Sequence, residues 1–179
     1  GINTEKYSHS ETLRKKWRST LNIRPDHKLV GHIARFHPMK DHASFLKAAV
    51  KICDMRTDTH FVLCGREVTY DNNHLSNIIP SQYQNRFHLI GELENAHELF
   101  DAMDLFCSSS AWGEGFSNVI AEAMASEVSC IATDVGDASN IIDNTGVVIP
   151  PNDINAMVSA LDKQLQLELS LIHISEPTR

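Results

Sequence analysis

Two glutamates stand eight positions apart in Trp112-Gly113-Glu114-Gly115-Phe116-Ser117-Asn118-Val119-Ile120-Ala121-Glu122-Ala123-Met124. Glu114 lies between two glycines, where the backbone can turn sharply and approach a ligand closely. Ser117 is a good N-cap residue type, and Val119, Ile120, Ala123 and Met124 recur at helical spacing, which predicts a helix over 117–125. The free amides of its first turn are a ready anion site. Glu122 sits about one turn further in, where a carboxylate can accept hydrogen bonds from paired hydroxyls. Phosphate at the helix start and a polyol at each carboxylate is the chemistry of a nucleotide-sugar. Arg35-Phe36-His37-Pro38-Met39-Lys40 adds the charge such a ligand needs. A diphosphate carries roughly two to three negative charges at neutral pH, and Arg and Lys complement it. Alone, the first segment is also an amphipathic helix after a glycine turn, and the second a loop with two surface cations. Together they predict one shared ligand.

Such loops need a rigid frame, and the chain alternates short apolar runs with helical patterns. Strands are predicted at 29–34, 60–64, 87–90, 104–107, 128–132 and 147–149. Ser8 and Glu11 have the spacing of a capping box and open a basic helix through Arg14, Lys15, Lys16 and Arg18. Phe45, Leu46, Ala49, Val50 and Cys53 form one helical stripe from Asp41 onward. A short helix is expected at 75–79, others at 96–103 and 117–125, and a last one from Asp153. This is the pattern of βαβ units: one α/β domain, a Rossmann-like parallel sheet flanked by helices. Right-handed crossovers place all strand C-terminal ends on one edge, where such sheets bind ligands. The Arg35–Lys40 loop, Gly65-Arg66 and the segment from Ser108 to Glu114 all fall there.

Composition narrows the partners. Net charge is −7 without clustered basic residues, which argues against nucleic acid. Apolar residues make up 42% with no run long enough to span a bilayer. Cys53, Cys64, Cys107 and Cys130 are widely spaced and read as reduced, buried thiols rather than a disulfide frame or a zinc site. The 10 histidines show no paired ligand spacing, and most read as surface or satisfied residues. No signal peptide is visible. The chain opens without methionine at Gly1-Ile2-Asn3-Thr4, as a segment cut from a longer protein would. Residues 169–179 resemble a translated sequencing adapter and are set apart from the fold.

Arg35 with Lys40, Glu114 through Glu122-Ala123-Met124-Ala125, and Ala132-Thr133-Asp134-Val135-Gly136 resemble the donor-binding half of retaining glycosyltransferases of family four. That half is the C-terminal Rossmann-like domain of the GT-B architecture; the similarity runs from Gly1 to about Leu167, and the implied donor domain is 1–168. The resemblance implies that Gly1-Ile2-Asn3-Thr4 leaves an absent N-terminal acceptor domain. It implies that Arg35 and Lys40 grip the donor diphosphate and stabilise the leaving nucleotide, and that Glu114 holds the transferred sugar. The segment Gly115, Phe116, Ser117 and Asn118 would cradle sugar and phosphate, and Glu122 the ribose hydroxyls. Arg35, Lys40 and Glu114 are thus the catalytic candidates. The implied donor is a nucleotide-sugar, UDP being commoner than GDP or ADP, with no cofactor and no metal required. The implied acceptor is a saccharide or a lipid-linked one, met by the missing domain. The implied setting is polysaccharide or glycoconjugate biosynthesis by a cytoplasmic protein, peripheral at the inner face of the membrane when full-length.

Two departures stand out. Glu127 and Ser129 occupy positions where the family has glycine and proline. A glycine at 127 would be a left-handed helix terminator, so glutamate there is expected to be strained. Asp41 replaces a glycine common in relatives and puts an anion beside Lys40.

Three other functions fit parts of the pattern. A glycoside hydrolase needs two carboxylates flanking one bond, about 5–10 Å apart, and the cations argue instead for an activated donor. A sugar-nucleotide epimerase or a phosphorylase shares the phosphate pocket. A non-catalytic nucleotide-binding module needs nothing further, and catalysis in a two-domain cleft needs the acceptor placed against the donor, so the fragment alone is expected to be inactive.

Overall fold

Strands β1 (Lys28–Ile33) and β2 (Thr59–Cys64) are buried along almost their whole length, as strands covered on both faces must be. In the computed structural model, which describes residues 2 and 4–175, they join β3 (Phe87–Leu89), β4 (Leu105–Ser108), β5 (Ser129–Thr133) and β6 (Val147–Ile149). All pairings are parallel, in the order β3-β2-β1-β4-β5-β6. The order reverses between β1 and β4, where Val30 pairs with Leu105 and Gly31 with Phe106. A crevice opens beyond the strand C-termini at such a switch point, and ligands bind there.

The helices are α1 (Glu11–Thr20), α2 (His42–Met55), α3 (Asn73–Ser76), α4 (Leu99–Ala102), α5 (Asn118–Ala125), α6 (Ala138–Ile142) and α7 (Ile154–Ser175). They cover both faces of the sheet. Along β2, Phe61 and Leu63 point into one cluster with Phe45 and Ile52 of α2 and Leu161 of α7. Val62 and Cys64 point into the other, with Phe100 of α4, Ile120 of α5 and Ile142 of α6. The alternation follows from the two-residue period of a strand. The predicted Rossmann-like sheet is therefore present, with the strands shifted by a residue or so.

Local differences have tertiary causes. The cap of α1 is Ser10, not Ser8: its Oγ accepts from the Leu13 amide at 3.2 Å. Its own amide donates to Asp101 Oδ1 at 2.8 Å, and that anchor sets where the helix begins. The expected helix at 96–103 is a 3-10 turn, Ala96–Glu98, followed by α4. Helix α6 and the 3-10 segment Ser81–Arg86 were not expected, being too short to show a period. Of the segment set apart at 169–179, the backbone to Ser175 continues α7, and 176–179 lie outside the described residues.

All four cysteines are buried and form no disulfide, and burial pushes the Cys53 and Cys64 thiols up to about 11 and Cys130 to about 12. Most of the histidines are exposed, half-buried or hydrogen-bonded, as expected, and two buried rings depart from that in part. His32, His42 and His60 are buried, and Nδ1 of both His32 and His42 has no hydrogen-bond partner. Among the described residues no helix is long and apolar enough to cross a membrane.

Glu127 does adopt the left-handed conformation, at φ 62°. Its amide bonds Met124 O at 3.0 Å and the Val128 amide bonds Ala123 O at 3.1 Å. These are the two bonds of a Schellman terminator. A side chain in that region costs about 1–2 kcal/mol, part of which glycine returns through its freer unfolded chain. Glu127→Gly is expected to raise the unfolding free energy by about 0.5–1 kcal/mol in urea titrations; a loss of stability would contradict the strain.

Candidate functional site

The loops leaving β1 and β4 build the site at the switch point. After β1, His37 caps a 3-10 turn, Pro38–Lys40, by accepting the Met39 amide at 3.1 Å. Asp41 follows at φ 48°, a conformation that favours glycine and tolerates aspartate. Its carboxylate caps α2, accepting the Ser44 amide at 3.2 Å and Ser44 Oγ at 2.6 Å. The anion beside Lys40 is thus engaged with Ser44.

Lys40 is not a free cation. Its Nζ lies 2.5 Å from Glu114 Oε1, and Ser110 Oγ donates to the same oxygen at 2.6 Å. Burial by itself would raise the Glu114 pKa, yet these bonds and the Lys40 charge hold it below the usual value. Glu114 is therefore an anion with one oxygen occupied. Arg35 shares no bond with this pair. It is exposed and lines a separate cavity of about 300 Å³ with Gly65, Arg66, Glu92 and Leu93. The two cations thus flank the crevice rather than meet.

The glycine loop is held from the β5 side. Gly113 is at φ 77° and Gly136 at φ 58°. A Cβ at Gly136 would lie 2.3 Å from Glu114 O and 2.6 Å from Gly115 O, and the Asp137 amide bonds Gly115 O at 3.2 Å. Nothing lies within 4 Å of a Cβ at Gly115, so that side of the loop is open. Trp112 and Phe116 are exposed on either side of it. Ser117 has the backbone of an N-cap but its side chain makes no capping bond, contrary to expectation. The first turn of α5, starting at the exposed Asn118, thus has no capping bond from its N-cap side chain. That preserves the positive end of the helix for an anion.

Glu122 is half-buried, on the second turn of α5, and does not join Glu114. Its carboxylate lies within hydrogen-bonding reach of the Tyr7 hydroxyl, whose pKa is raised by burial and then by the Glu122 charge. Tyr7 ends a 3-10 segment, Thr4–Tyr7, that packs on α5.

Sequence reasoning missed Tyr7, Ser109, Ser110, Thr133 and His32. Ser109 Oγ donates to Lys40 O at 2.8 Å and Asp41 O at 3.1 Å, and His32 Nε2 is 2.9 Å from it. Thr133 Oγ1 donates to Ser110 O at 2.6 Å. The run Ser108-Ser109-Ser110 at a strand end was a signal for this; nothing local marked Tyr7. A larger cavity, about 510 Å³, lies along α1 between Arg14, Lys15, Arg18 and Arg24. Arg14 and Arg18 are bonded to Asp104 there, so its volume points to no ligand. Among the described residues no group of His, Cys, Asp and Glu side chains is arranged to hold a metal ion.

A doubly wound parallel sheet with an acid–base pair and a helix N-terminus at its switch point defines a Rossmann-like domain. The family described as Glycosyl transferases group 1 matches residues 27–166, and the chain belongs to it. It is 29% identical over 170 residues to the lipopolysaccharide core biosynthesis mannosyltransferase LpsB of Rhizobium meliloti, covering 89% of this chain and 47% of LpsB. Two solved structures share the fold. Anabaena Alr3699/HepE in complex with UDP-glucose superposes with a TM-score of 0.83 at 22% identity, over 94% of this chain and 47% of that one. The C-terminal domain of the glycosyl transferase group 1 family protein LpcC from Francisella tularensis gives 0.77 at 23% identity, over 93% and 88%. The architecture is that of the C-terminal Rossmann-like domain of GT-B glycosyltransferases. The chain spans about half the length of LpsB.

Proposed function

We propose that the chain is the donor-binding half of a retaining glycosyltransferase of family four. It binds a nucleoside-diphosphate sugar for transfer of the glycosyl group to a saccharide or lipid-linked acceptor, presented by an N-terminal domain. The setting is lipopolysaccharide, polysaccharide or glycoconjugate assembly on the cytoplasmic side of the membrane. The observation that carries this is the Lys40–Glu114 pair at the switch point, beside the uncapped first turn of α5.

The ammonium of Lys40 has three donors, so a phosphate oxygen can draw on it beside Glu114 and loosen its hold on that carboxylate. Arg35 approaches the same diphosphate from the cavity beside β2. Negative charge grows on the leaving nucleotide as the glycosidic bond breaks, and cations already in place stabilise it without reorganising. The free oxygen of Glu114 holds a sugar hydroxyl, the amides near Ser117 and Asn118 the phosphate, and Glu122 the ribose diol. No metal is needed for this charge balance. UDP is the nucleotide proposed, and HepE, of the same fold, was solved with UDP-glucose.

Calorimetric titration of the chain with UDP, GDP and ADP tests this. One nucleotide is expected to bind selectively, with affinity falling at least about tenfold in Lys40→Ala, the scale of one charge-assisted contact. Glu122→Ala should weaken the ribonucleotide but not its 2′-deoxy analogue. A folded chain that binds none of the three, or binds equally well without Lys40, overturns the assignment.

A further inference from the structure

Ser110 is 3% exposed and has no part in the donor contacts above, yet its hydroxyl is aimed at Glu114. Glu114 has a flexible setting, between Gly113 in the left-handed region and Gly115 facing open space. A glutamate there has several rotamers available and loses up to about 2 kcal/mol of entropy on being fixed. Two donors converge on Oε1, Ser110 Oγ at 2.6 Å and Lys40 Nζ at 2.5 Å, and no described residue bonds Oε2. The lysine is long and mobile, and a ligand phosphate competes for it. The serine has one rotatable bond, and its backbone is pinned on both sides.

On the β5 side, Thr133 Oγ1 donates to the Ser110 carbonyl at 2.6 Å, and Thr133 is buried. On the β1 side, Ser109 Oγ donates to the main chain of Lys40 and Asp41. Carbonyls only accept, so the Ser109 proton goes to them and His32 Nε2–H donates to Ser109. The Ala111 amide adds a bond to Met39 O at 2.8 Å. The dipeptide Ser109-Ser110 therefore ties β1, β4 and β5 together at the point from which the Glu114 carboxylate is held.

We propose that Ser110 is a positioning residue of the donor site, fixing Glu114 by Oε1 so that Oε2 alone is presented to the sugar of a nucleotide-sugar. The inference rests on the reading of Glu114 as the sugar-binding carboxylate. When phosphate draws on Lys40, Ser110 is the donor that stays. Its loss therefore frees the carboxylate at the moment a sugar must be held.

The test separates sugar from nucleotide. The full chain, Ser110→Ala and Glu114→Gln are titrated with UDP and UDP-glucose and with GDP and GDP-mannose. Ser110→Ala should bind the bare nucleotide within about twofold of the parent while losing about tenfold in affinity for the sugar-nucleotide, the scale of one hydrogen bond to a charged group. Unchanged nucleotide binding also certifies that the variant is folded. Equal losses for nucleotide and sugar-nucleotide would make Ser110 merely structural and overturn the proposal. If Glu114→Gln loses the sugar preference and Ser110→Ala keeps it, the positioning role alone fails. If neither variant alters the preference, the sugar role of Glu114 fails first; a folded parent that binds no nucleotide overturns the donor reading itself.

Discussion

Asp104→Ala is expected to cost the fold about 3–5 kcal/mol, the usual penalty for leaving a buried ion without its partner. Asp104 precedes β4, and its side chain is 9% exposed. One oxygen accepts Arg14 Nη2 at 2.8 Å; the other accepts Arg18 Nη1 at 3.3 Å and the Leu29 amide at 2.8 Å. It thus joins α1 to the first residues of β1 and β4. Arg18 is 6% exposed, and burial lowers its pKa against the opposing pull of Asp104. Without the carboxylate, Arg18 retains the carbonyls of Ala102, Arg24 and His27 but no bonded counter-charge. The Leu29 amide also loses its acceptor. Urea unfolding at pH 7 reads the loss directly, and the melting temperature should fall by about 10 °C for a chain of this size. Lys16→Ala, which removes an exposed partner of Glu98, should change stability by under about 1 kcal/mol. Comparable effects from the two substitutions would refute the buried-pair account.

That Asp104 network marks the boundary of what the sequence makes legible. The sheet was legible because β1, β2, β4 and β5 each hold a short, largely apolar run between helical stripes, and buried parallel strands leave that signature. Glu114, Lys40 and the first turn of α5 were legible because glycines, cations and a helix start are local features. The partnerships were not. Arg14 and Arg18 look like a solvated basic face until Asp104, some 90 positions away, turns them inward. Lys40 reads as a free phosphate ligand until the fold brings Glu114 to it across 74 positions. Tyr7 and Glu122 meet only because the N-terminal turn packs on α5. A strand's period reports which face is buried; it says nothing about which polar atom waits on the neighbouring loop.

The histidines extend the same point to a prediction in pH: lowering it from 7 to 4.5 should strip several kcal/mol from the fold. His60 stands in a row of three rings, its Nε2 3.2 Å from His27 Nδ1 and its Nδ1 3.1 Å from His88 Nε2. In such a row each neutral ring donates once and accepts once. A proton added to His60 makes both its nitrogens donors and breaks one bond. Burial, then His88, His27, Arg86 and Arg18, lower its pKa to about 4. His42, donating to Ala34 O at 3.1 Å, is lowered to about 4 chiefly by burial, with the Ala34 bond and Asp41 opposing and Lys40 adding to the shift. In the unfolded chain both titrate near 6.5. As pH falls below that value, the unfolded state takes up protons the folded state refuses, so stability is lost between 6.5 and 4. At about 1.4 kcal/mol per pKa unit, each side chain accounts for a loss on the order of 3 kcal/mol. Glu114 and Asp58, whose pKa values are lowered from ordinary carboxylate values, lose their contribution only at more acid pH. Urea midpoints measured from pH 7 to 4.5 should therefore fall steadily, and the double variant His42→Gln, His60→Gln should flatten the curve. An unchanged slope in that variant would place the acid sensitivity elsewhere. Because His42 opens α2 beside the Lys40 loop and His32 braces Ser109, acid should loosen the proposed donor site before the rest of the sheet.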